Sequence, residues 1–454
     1  MSPHPPTNPT ASYWQALATG ERQPLHCLDA SVDADVAIVG GGLTGLLTAY
    51  RLSRLPSPPR VVVLEADGPI GAGASARSAG MLLPRPHHAL VPRFGEARVR
   101  ASYEHARRAR DEIAAIAADA GIDCELRDTS FLSVAIAPAH LDRLREIERA
   151  YGHYGMRCEL HDRDAIRAIV AGRDFIGGLE QHGVATMNPA RLVEGLKRAL
   201  VDAGVAVHEN TRVLSIEESG GRIRARAPQG EIVARWLVLA TNAFAGAPEY
   251  TIDGVPGPGL PQPLVQKSFA MVTAPIPDAV FDSIGWRGHQ CVSDMRNIGI
   301  YARRVHDRLF VGGRMRFAQG LAASADLDAA LHRIRADLAH SFPELAAFAT
   351  DHAWFGPIAL TPDDIPVIGR LGSDRRIVYA HGYSGLGLAL STLCSRIVAD
   401  TVNDDARRWE DLVYVRAGES PEWESRTLRA IRQRWRYARN AKKDRIELAT
   451  TAPA

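Results

Sequence analysis

The sequence predicts an α/β (α+β) fold: buried strands around a glycine turn and, later in the chain, an antiparallel sheet. Three observations predict it. First, Asp35-Val-Ala-Ile-Val39 and Val61-Val-Val-Leu-Glu65 flank a glycine turn and an apolar, helix-length stretch. Short continuous apolar runs of this kind are strands buried on both faces of a parallel sheet. Second, a meander of short strands ends in the fully buried run Ile232-Val-Ala-Arg-Trp-Leu-Val-Leu-Ala240, and a later run, Ile377-Val-Tyr-Ala-His381, precedes a glycine turn that opens a helix. Third, apolar and polar residues alternate between 264 and 318, in Ser268-Phe-Ala-Met-Val-Thr273, Ile298-Gly-Ile-Tyr-Ala-Arg303 and Arg308-Leu-Phe-Val-Gly-Gly313. Alternation with period two is the mark of an antiparallel sheet.

The turn itself reads Gly40-Gly41-Gly42-Leu43-Thr44-Gly45. Its glycines permit a tight turn and bring backbone N–H groups close to a pyrophosphate at the positive end of the following helix. Glu65, closing the second strand, stands where an acid takes the ribose hydroxyls of an adenine dinucleotide. A lone glycine fingerprint is weak evidence. Flanked by two strands and followed by the acid, it predicts a dinucleotide site and leaves NAD and FAD open.

The bulk properties bound the rest. At 454 residues the chain is long enough for two domains, and 46% hydrophobic with 23% charged residues is ordinary globular composition. A net charge of +2 gives no global reason to expect a nucleic-acid partner. The five cysteines are scattered, and no His or Cys spacing matches a metal site, so no metal and no disulfide framework are expected. The N-terminal segment lacks the basic and apolar regions of a signal peptide, and no apolar run is long enough to span a bilayer. A cytoplasmic protein is the expectation.

Between the strands, Gly71-Ala-Gly-Ala74-Ser75-Ala-Arg77-Ser78-Ala79-Gly80 is a loop of small residues that permits close backbone approach to a ligand. Helices are predicted from about Val99 to Ala120, from Pro138 to Tyr151 and from Pro189 to about Ala203. Short strands then lead to the buried run ending at Ala240-Thr241-Asn242, and Gly254-Val-Pro-Gly-Pro-Gly-Leu-Pro-Gln-Pro263 reads as a hinge. Late in the chain, Gly382-Tyr-Ser-Gly385-Leu386-Gly387-Leu388 opens another helix.

Taken in order, these segments resemble the D-amino-acid oxidase/glycine oxidase (DAO) superfamily of FAD-dependent amine oxidoreductases. The resemblance runs from about Ala11 to Asn403. It also rests on Thr211-Arg-Val213, Phe342-Pro-Glu-Leu345 and Thr361-Pro-Asp-Asp-Ile-Pro-Val-Ile-Gly369. The arm Ser12-Tyr13-Trp14 and the Gly-Ala-Ser-x-Arg loop are similar to the γ-glutamylputrescine oxidoreductase group. The resemblance implies a discontinuous Rossmann-like FAD-binding domain over 31–120, 186–255 and 346–405. It implies an inserted substrate domain over 121–185 and 256–345, an arm over 1–30 and a basic tail over 406–454. It also implies that the late helix places its positive end near the flavin ring, favouring FAD over NAD. Implied cofactor residues are Gly40, Gly41, Gly42, Leu43, Thr44, Gly45, Glu65, Ala66, Ala74, Ser75, Arg77, Ser78, Ala79, Gly80, Met81, Val213, Ala240, Thr241, Asn242, Gly385, Leu386, Gly387 and Leu388.

Departures from the pattern matter as much. Neither Gly73–Leu82 nor Gly356–Thr361 contains a histidine or cysteine to link the flavin, so FAD is expected to be held non-covalently. The arginine and lysine that clamp the substrate carboxylate in sarcosine oxidases correspond here to Gly80 and Ala389. Either the substrate lacks that carboxylate or another cation binds it, and Arg303, beside Tyr301, and Arg314 are then the candidate substrate-binding residues. The oxygen-activating lysine corresponds to Phe310, with Lys267 as a possible stand-in. The resemblance implies oxidation of an amine or amino acid, preferably a secondary or N-substituted amine, to an imine that water hydrolyses. An apolar pocket that makes the neutral amine accessible is required, and an obligatory base is not. The electron acceptor is oxygen or a quinone-type carrier, the latter making the chain a dehydrogenase. An inert flavin-binding scaffold is the non-enzyme alternative.

The tail from Glu424 to Ile446 is strongly basic, with Leu428, Ile431 and Trp435 on one helical stripe. A surface helix docked by that stripe is the simpler reading. Peripheral contact with the inner face of a membrane, or with RNA, is the sharper one.

Overall fold

In the computed structural model, which describes residues 11–18, 23–245, 248–257, 263–317, 325–416 and 426–449, the four separated apolar runs become neighbours. Much of the N-terminal arm, residues 258–262 of the hinge and residues 417–425 of the tail lie outside the described residues. The parallel strands stand in the order Ala206–His208, Val61–Leu64, Ser31–Val39, Glu231–Leu239 and Ile377–His381. Helices Leu43–Ser53, Pro189–Asp202 and Gly387–Val402 cover one face, burying Leu46, Leu47, Leu196, Leu393 and Ile397 in one core.

Strand Glu231–Leu239 shows how a burial pattern follows from its surroundings. Its first half pairs antiparallel with Arg222–Arg226, while Leu237, Val238 and Leu239 pair parallel with Ile377, Val378 and Tyr379. Burial alternates in the first half and is continuous from Trp236 to Leu239. One side of the meander faces water; the parallel part is covered on both faces.

The second sheet runs Thr350–Leu360, Leu264–Thr273, Arg308–Phe317, Ile300–Val305, Cys291–Asp294, Arg127–Ala135, Gly177–Thr186 and Met81–Leu82, with Cys158–His161 also on Gly177–Thr186. Pairing is antiparallel except between Cys291–Asp294 and Arg127–Ala135. Helix Ala325–Ser341 packs Ile334 and Leu338 into this sheet's core with Phe269, Val311 and Phe355.

Three features differ from the sequence-based boundaries. Thr350–Leu360, assigned by sequence to the third FAD-binding stretch, is an edge strand of the second sheet, paired with Leu264–Thr273. Residues 406–416, assigned to the tail, bury Trp409, Leu412, Val413 and Tyr414 in the first core. The predicted helix from Val99 to Ala120 is two helices, Glu96–Ala106 and Ala109–Asp119. Among the described residues, no helix is long and apolar enough to cross a membrane.

Gly45 sets how closely the first helix sits on the first strand. A Cβ there would lie 2.0 Å from the Gly40 carbonyl oxygen. Backbone cannot step aside as a flexible side chain can, so Gly45→Ala is expected to destabilise the fold by about 3 kcal/mol or more. Chemical denaturation checks this; a midpoint equal to the parent's contradicts it.

Candidate functional site

Two helix N-termini face one cavity. The first belongs to Leu43–Ser53, whose N-cap Gly42 has no side chain to offer; the Ser75 hydroxyl accepts from Leu43 N at 2.9 Å. The second belongs to Gly387–Val402, whose N-cap Leu386 likewise supplies no capping side chain. The turn before it needs positive φ at Gly382 (83°) and Gly385 (90°). Two hydrogen bonds join the two turns. Asn242 Oδ1 accepts from Gly382 N at 3.0 Å, and the Thr44 and Tyr383 hydroxyls lie 2.6 Å apart. Helix N-termini without a side-chain cap leave N–H groups and a positive field for an anionic ligand.

The cavity between them measures about 480 Å³. Of the residues implied for the cofactor, all but Gly41, Gly45 and Gly80 line it. Those three shape its walls from behind. A Cβ at Gly41 would collide with Ile70 Cδ1 at 2.3 Å, and one at Gly80 would sit 2.1 Å from the Met187 carbonyl oxygen. Among the described residues, no histidine or cysteine lines the cavity. Glu65 accepts from Ala66 N at 2.9 Å and Gly41 N at 3.1 Å. Burial nevertheless pushes its carboxyl up to about 7, against the opposing pull of these N–H donors. A carboxylate buried this deeply gains its ionised form when the two hydroxyls of a ribose add their hydrogen bonds.

The small-residue loop is held by its carbonyls. Ser12 Oγ donates to Ala76 O (2.6 Å), Trp354 Nε1 to Arg77 O (3.0 Å), Trp14 Nε1 to Ser78 O (2.9 Å) and Arg303 Nε to Ala79 O (2.7 Å). Met187 N then donates to Gly80 O at 2.8 Å. Arg303 is thus engaged away from any substrate: its Nη2 also donates to Met187 O at 2.9 Å, and its guanidinium lies over the Trp14 ring. It lines neither cavity. Burial lowers its pKa to about 10, which leaves it charged at neutral pH. The expectation that Arg303 grips a substrate carboxylate does not match this geometry.

A second cavity, of about 810 Å³, adjoins the first. Arg85, Ser293, Tyr301, Met315, Ser384 and Leu386 belong to both walls. Tyr301, named by sequence reasoning as a substrate-site candidate, is one of them, its hydroxyl 3.3 Å from Ser268 Oγ. Arg314 lines the second cavity but is committed to Asp337 through two hydrogen bonds of 2.6 Å. Lys267 is buried against Asp326 and the Phe355 ring and lines neither cavity, while Phe310 stacks between Trp14 and Tyr301.

Arg85 was missed by sequence reasoning. It lies over the Phe131 ring, its buried Nε has no hydrogen-bond partner, and no carboxylate among the described residues pairs with it. Its signal is faint: an arginine between Pro84 and Pro86, just past the small-residue loop. The tail is placed differently from expectation. Ile431 and Trp435 are exposed rather than forming the docking stripe, and helix Arg426–Ala449 docks through Asp444, Glu447 and Leu448.

Two outcomes follow. Ribose hydroxyls favour the ionised form of Glu65, so FAD binding to the apoprotein releases a proton. Affinity should then rise with pH up to about 7 and level off above it. Glu65→Gln should weaken binding and flatten that profile; a parent profile already flat between pH 5 and 8 contradicts the assignment. Arg303→Ala leaves the Ala79 and Met187 carbonyls without donors, at about 1–3 kcal/mol each. A lower unfolding temperature and faster FAD loss are expected, and an unchanged thermal melt contradicts the clamp.

Comparison with known proteins places the chain. The family model for DAO, described as FAD dependent oxidoreductase, matches residues 35–401. The chain is 30% identical over 416 residues to γ-glutamylputrescine oxidoreductase of Escherichia coli, covering 89% of this chain and 91% of that one. It is 27% identical over 383 residues to the probable oxidoreductase OrdL of Haemophilus influenzae, covering 83% and 84% respectively. The crystal structure of glycine oxidase from Geobacillus kaustophilus superposes with a TM-score of 0.67 at 23% identity, covering 82% of this chain and 95% of that one. With the dinucleotide cradle and the two-sheet architecture, the match over most of its length shows that the chain belongs to the DAO family of FAD-dependent oxidoreductases.

Proposed function

We propose that this FAD-dependent amine or amino-acid oxidoreductase takes its cofactor in the first cavity, non-covalently, and its substrate in the second. The carrying observation is that the two cavities meet at Tyr301, Ser293, Arg85, Met315, Ser384 and Leu386, beside the late helix N-terminus. When bound, FAD would supply a two-electron acceptor for the α C–H as hydride, the N–H being lost as a proton to solvent, and water would hydrolyse the imine to a carbonyl compound and a smaller amine. The protein's part is to orient and to stabilise. The positive end of Gly387–Val402 faces the cavity and favours negative charge on a reduced ring. Met315, Leu386 and the aromatic face of Tyr301 present apolar surface at the junction, which favours the neutral, reactive amine. The Tyr301 and Ser293 hydroxyls can orient the amine.

The dehydrogenase reading has one observation in its favour. Among the described residues no lysine lines the first cavity, and Phe310 stands at the position that the resemblance gives to an oxygen-activating lysine. Reoxidation by a quinone analogue faster than by air is the outcome expected of that reading.

The purified protein should show oxidised-flavin absorption that a panel of secondary and N-substituted amines bleaches anaerobically. Tyr301→Phe should keep its flavin and lose about tenfold in kcat/KM, equivalent to about 1.4 kcal/mol. Flavin that no amine bleaches would contradict the proposal and favour an inert binder.

A further inference from the structure

The second cavity has a wall that the rest of the fold does not supply. Trp435, Tyr437, Arg439 and Asn440 of the C-terminal helix line it. The helix is fastened just beyond them. Buried Asp444 accepts from Asn297 N at 2.8 Å, Asn297 Nδ2 at 2.7 Å and Ile298 N at 3.0 Å. Glu447 pairs with Arg143 at 3.1 Å and lies 3.3 Å from His140 Nε2. Asn297 and Ile298 themselves line the cavity, so one carboxylate ties the helix to the wall it completes. An amphipathic helix adsorbed by its apolar stripe would be fastened otherwise.

The charges around this cavity are unequally matched. Arg296 is held by Asp294 and Asp337 at 2.7 Å each, and Arg314 by Asp337. His87 is kept neutral, because burial pushes its pKa down to about 4. Asp364 is the remaining acid in the wall and has contacts of its own. Arg85 and Arg439 have no carboxylate partner among the described residues. The Arg85 guanidinium rests on the Phe131 ring at 5.2 Å and that of Arg439 on the Trp435 ring at 5.2 Å. A ring face holds a guanidinium in place without neutralising it. Its N–H fork is left to receive a planar, bidentate anion.

We propose that the C-terminal helix is a wall of the substrate cavity, and that Arg85 and Arg439 select amines carrying a carboxylate. This rests on reading the second cavity as the substrate site. It gives Arg439 of the basic tail a role inside the protein's own cavity. It also supplies the cation missing at Gly80 and Ala389, from two places that no clamp motif marks.

Glutarate, a dicarboxylate with no amine to oxidise, is the probe. Titrated into the FAD-loaded full-length enzyme, it should perturb the flavin spectrum and give a calorimetric Kd. Arg85→Ala should raise that Kd at least tenfold and Arg439→Ala three- to tenfold, with Arg85→Lys recovering part of the loss. In turnover, the Arg439→Ala effect should fall on KM for carboxylate-bearing amines and spare KM for amines without one. Arg439 is exposed, so loss of fold does not obscure its variant. If amines bleach the flavin while both alanine variants bind glutarate within twofold of the parent, the inference fails and the proposed function stands. If no amine bleaches it, the proposed function fails, and the glutarate titration still decides the role of the two arginines.

Discussion

Four consecutive carbonyl oxygens, from Ala76 to Ala79, are each taken by a side chain from a distant part of the chain, and the site depends on that arrangement. The donors are Ser12, Trp354, Trp14 and Arg303, with the Met187 N–H closing the series at Gly80. A loop of small residues has little apolar surface with which to hold itself in place. Its backbone polar groups must find partners once the surroundings exclude water. Here those partners come from the N-terminal helix and from two strands of the second sheet. The loop that lines the first cavity is therefore tied to the second sheet. Gly80 is required at its end, because φ is +69° there and the Met187 carbonyl occupies the place of a Cβ.

The same economy joins the two glycine turns. Thr44 and Tyr383 share a hydrogen bond, and Asn242 holds Gly382, so the early and late helix N-termini keep a fixed relation across the cavity. Beside the early turn, Glu65 accepts from the Gly41, Ala66 and Asp67 N–H groups, yet burial still holds its carboxyl up at about 7. A negative pyrophosphate at the helix end and a ribose at Glu65 satisfy both ends of the cavity at once. Cofactor binding and local stability are consequently one problem for this fold. The second cavity is built differently: Arg296 and Arg314 are paired internally, while Arg85 and Arg439 meet no carboxylate among the described residues, as the proposed selectivity requires.

Much of this was legible in the sequence because it is local. Positive φ, tight turns and an acid at a strand end leave a trace in residue type and spacing. So Gly40, Gly42, Glu65 and Gly385 could be placed before any coordinates. The arginines could not. Whether Arg303 meets a ligand or a backbone carbonyl depends on partners as distant as Met187, and whether Arg314 is available depends on Asp337 in a helix after the strand. Arg85 had no periodic or motif context and became visible only through what it lacks. The strand Thr350–Leu360 was misassigned because Gly356-Pro357 interrupts its pattern; as an edge strand it can carry the proline. The tail stripe Leu428, Ile431 and Trp435 suggested a docking face by periodicity. Three hydrogen bonds to Asp444 fasten the helix elsewhere.

The central claim is spatial: a cofactor cavity and a substrate cavity meet at Tyr301 and Arg85, and the C-terminal helix closes the latter. A crystal structure of the full-length protein with FAD and glutarate tests it most directly. The account predicts a flavin ring beside Gly385–Leu388 and Tyr301, with a glutarate carboxylate on Arg85 and the C-terminal helix seated on Asn297. Glutarate bound outside the second cavity, or a flavin ring turned away from Tyr301, would contradict it.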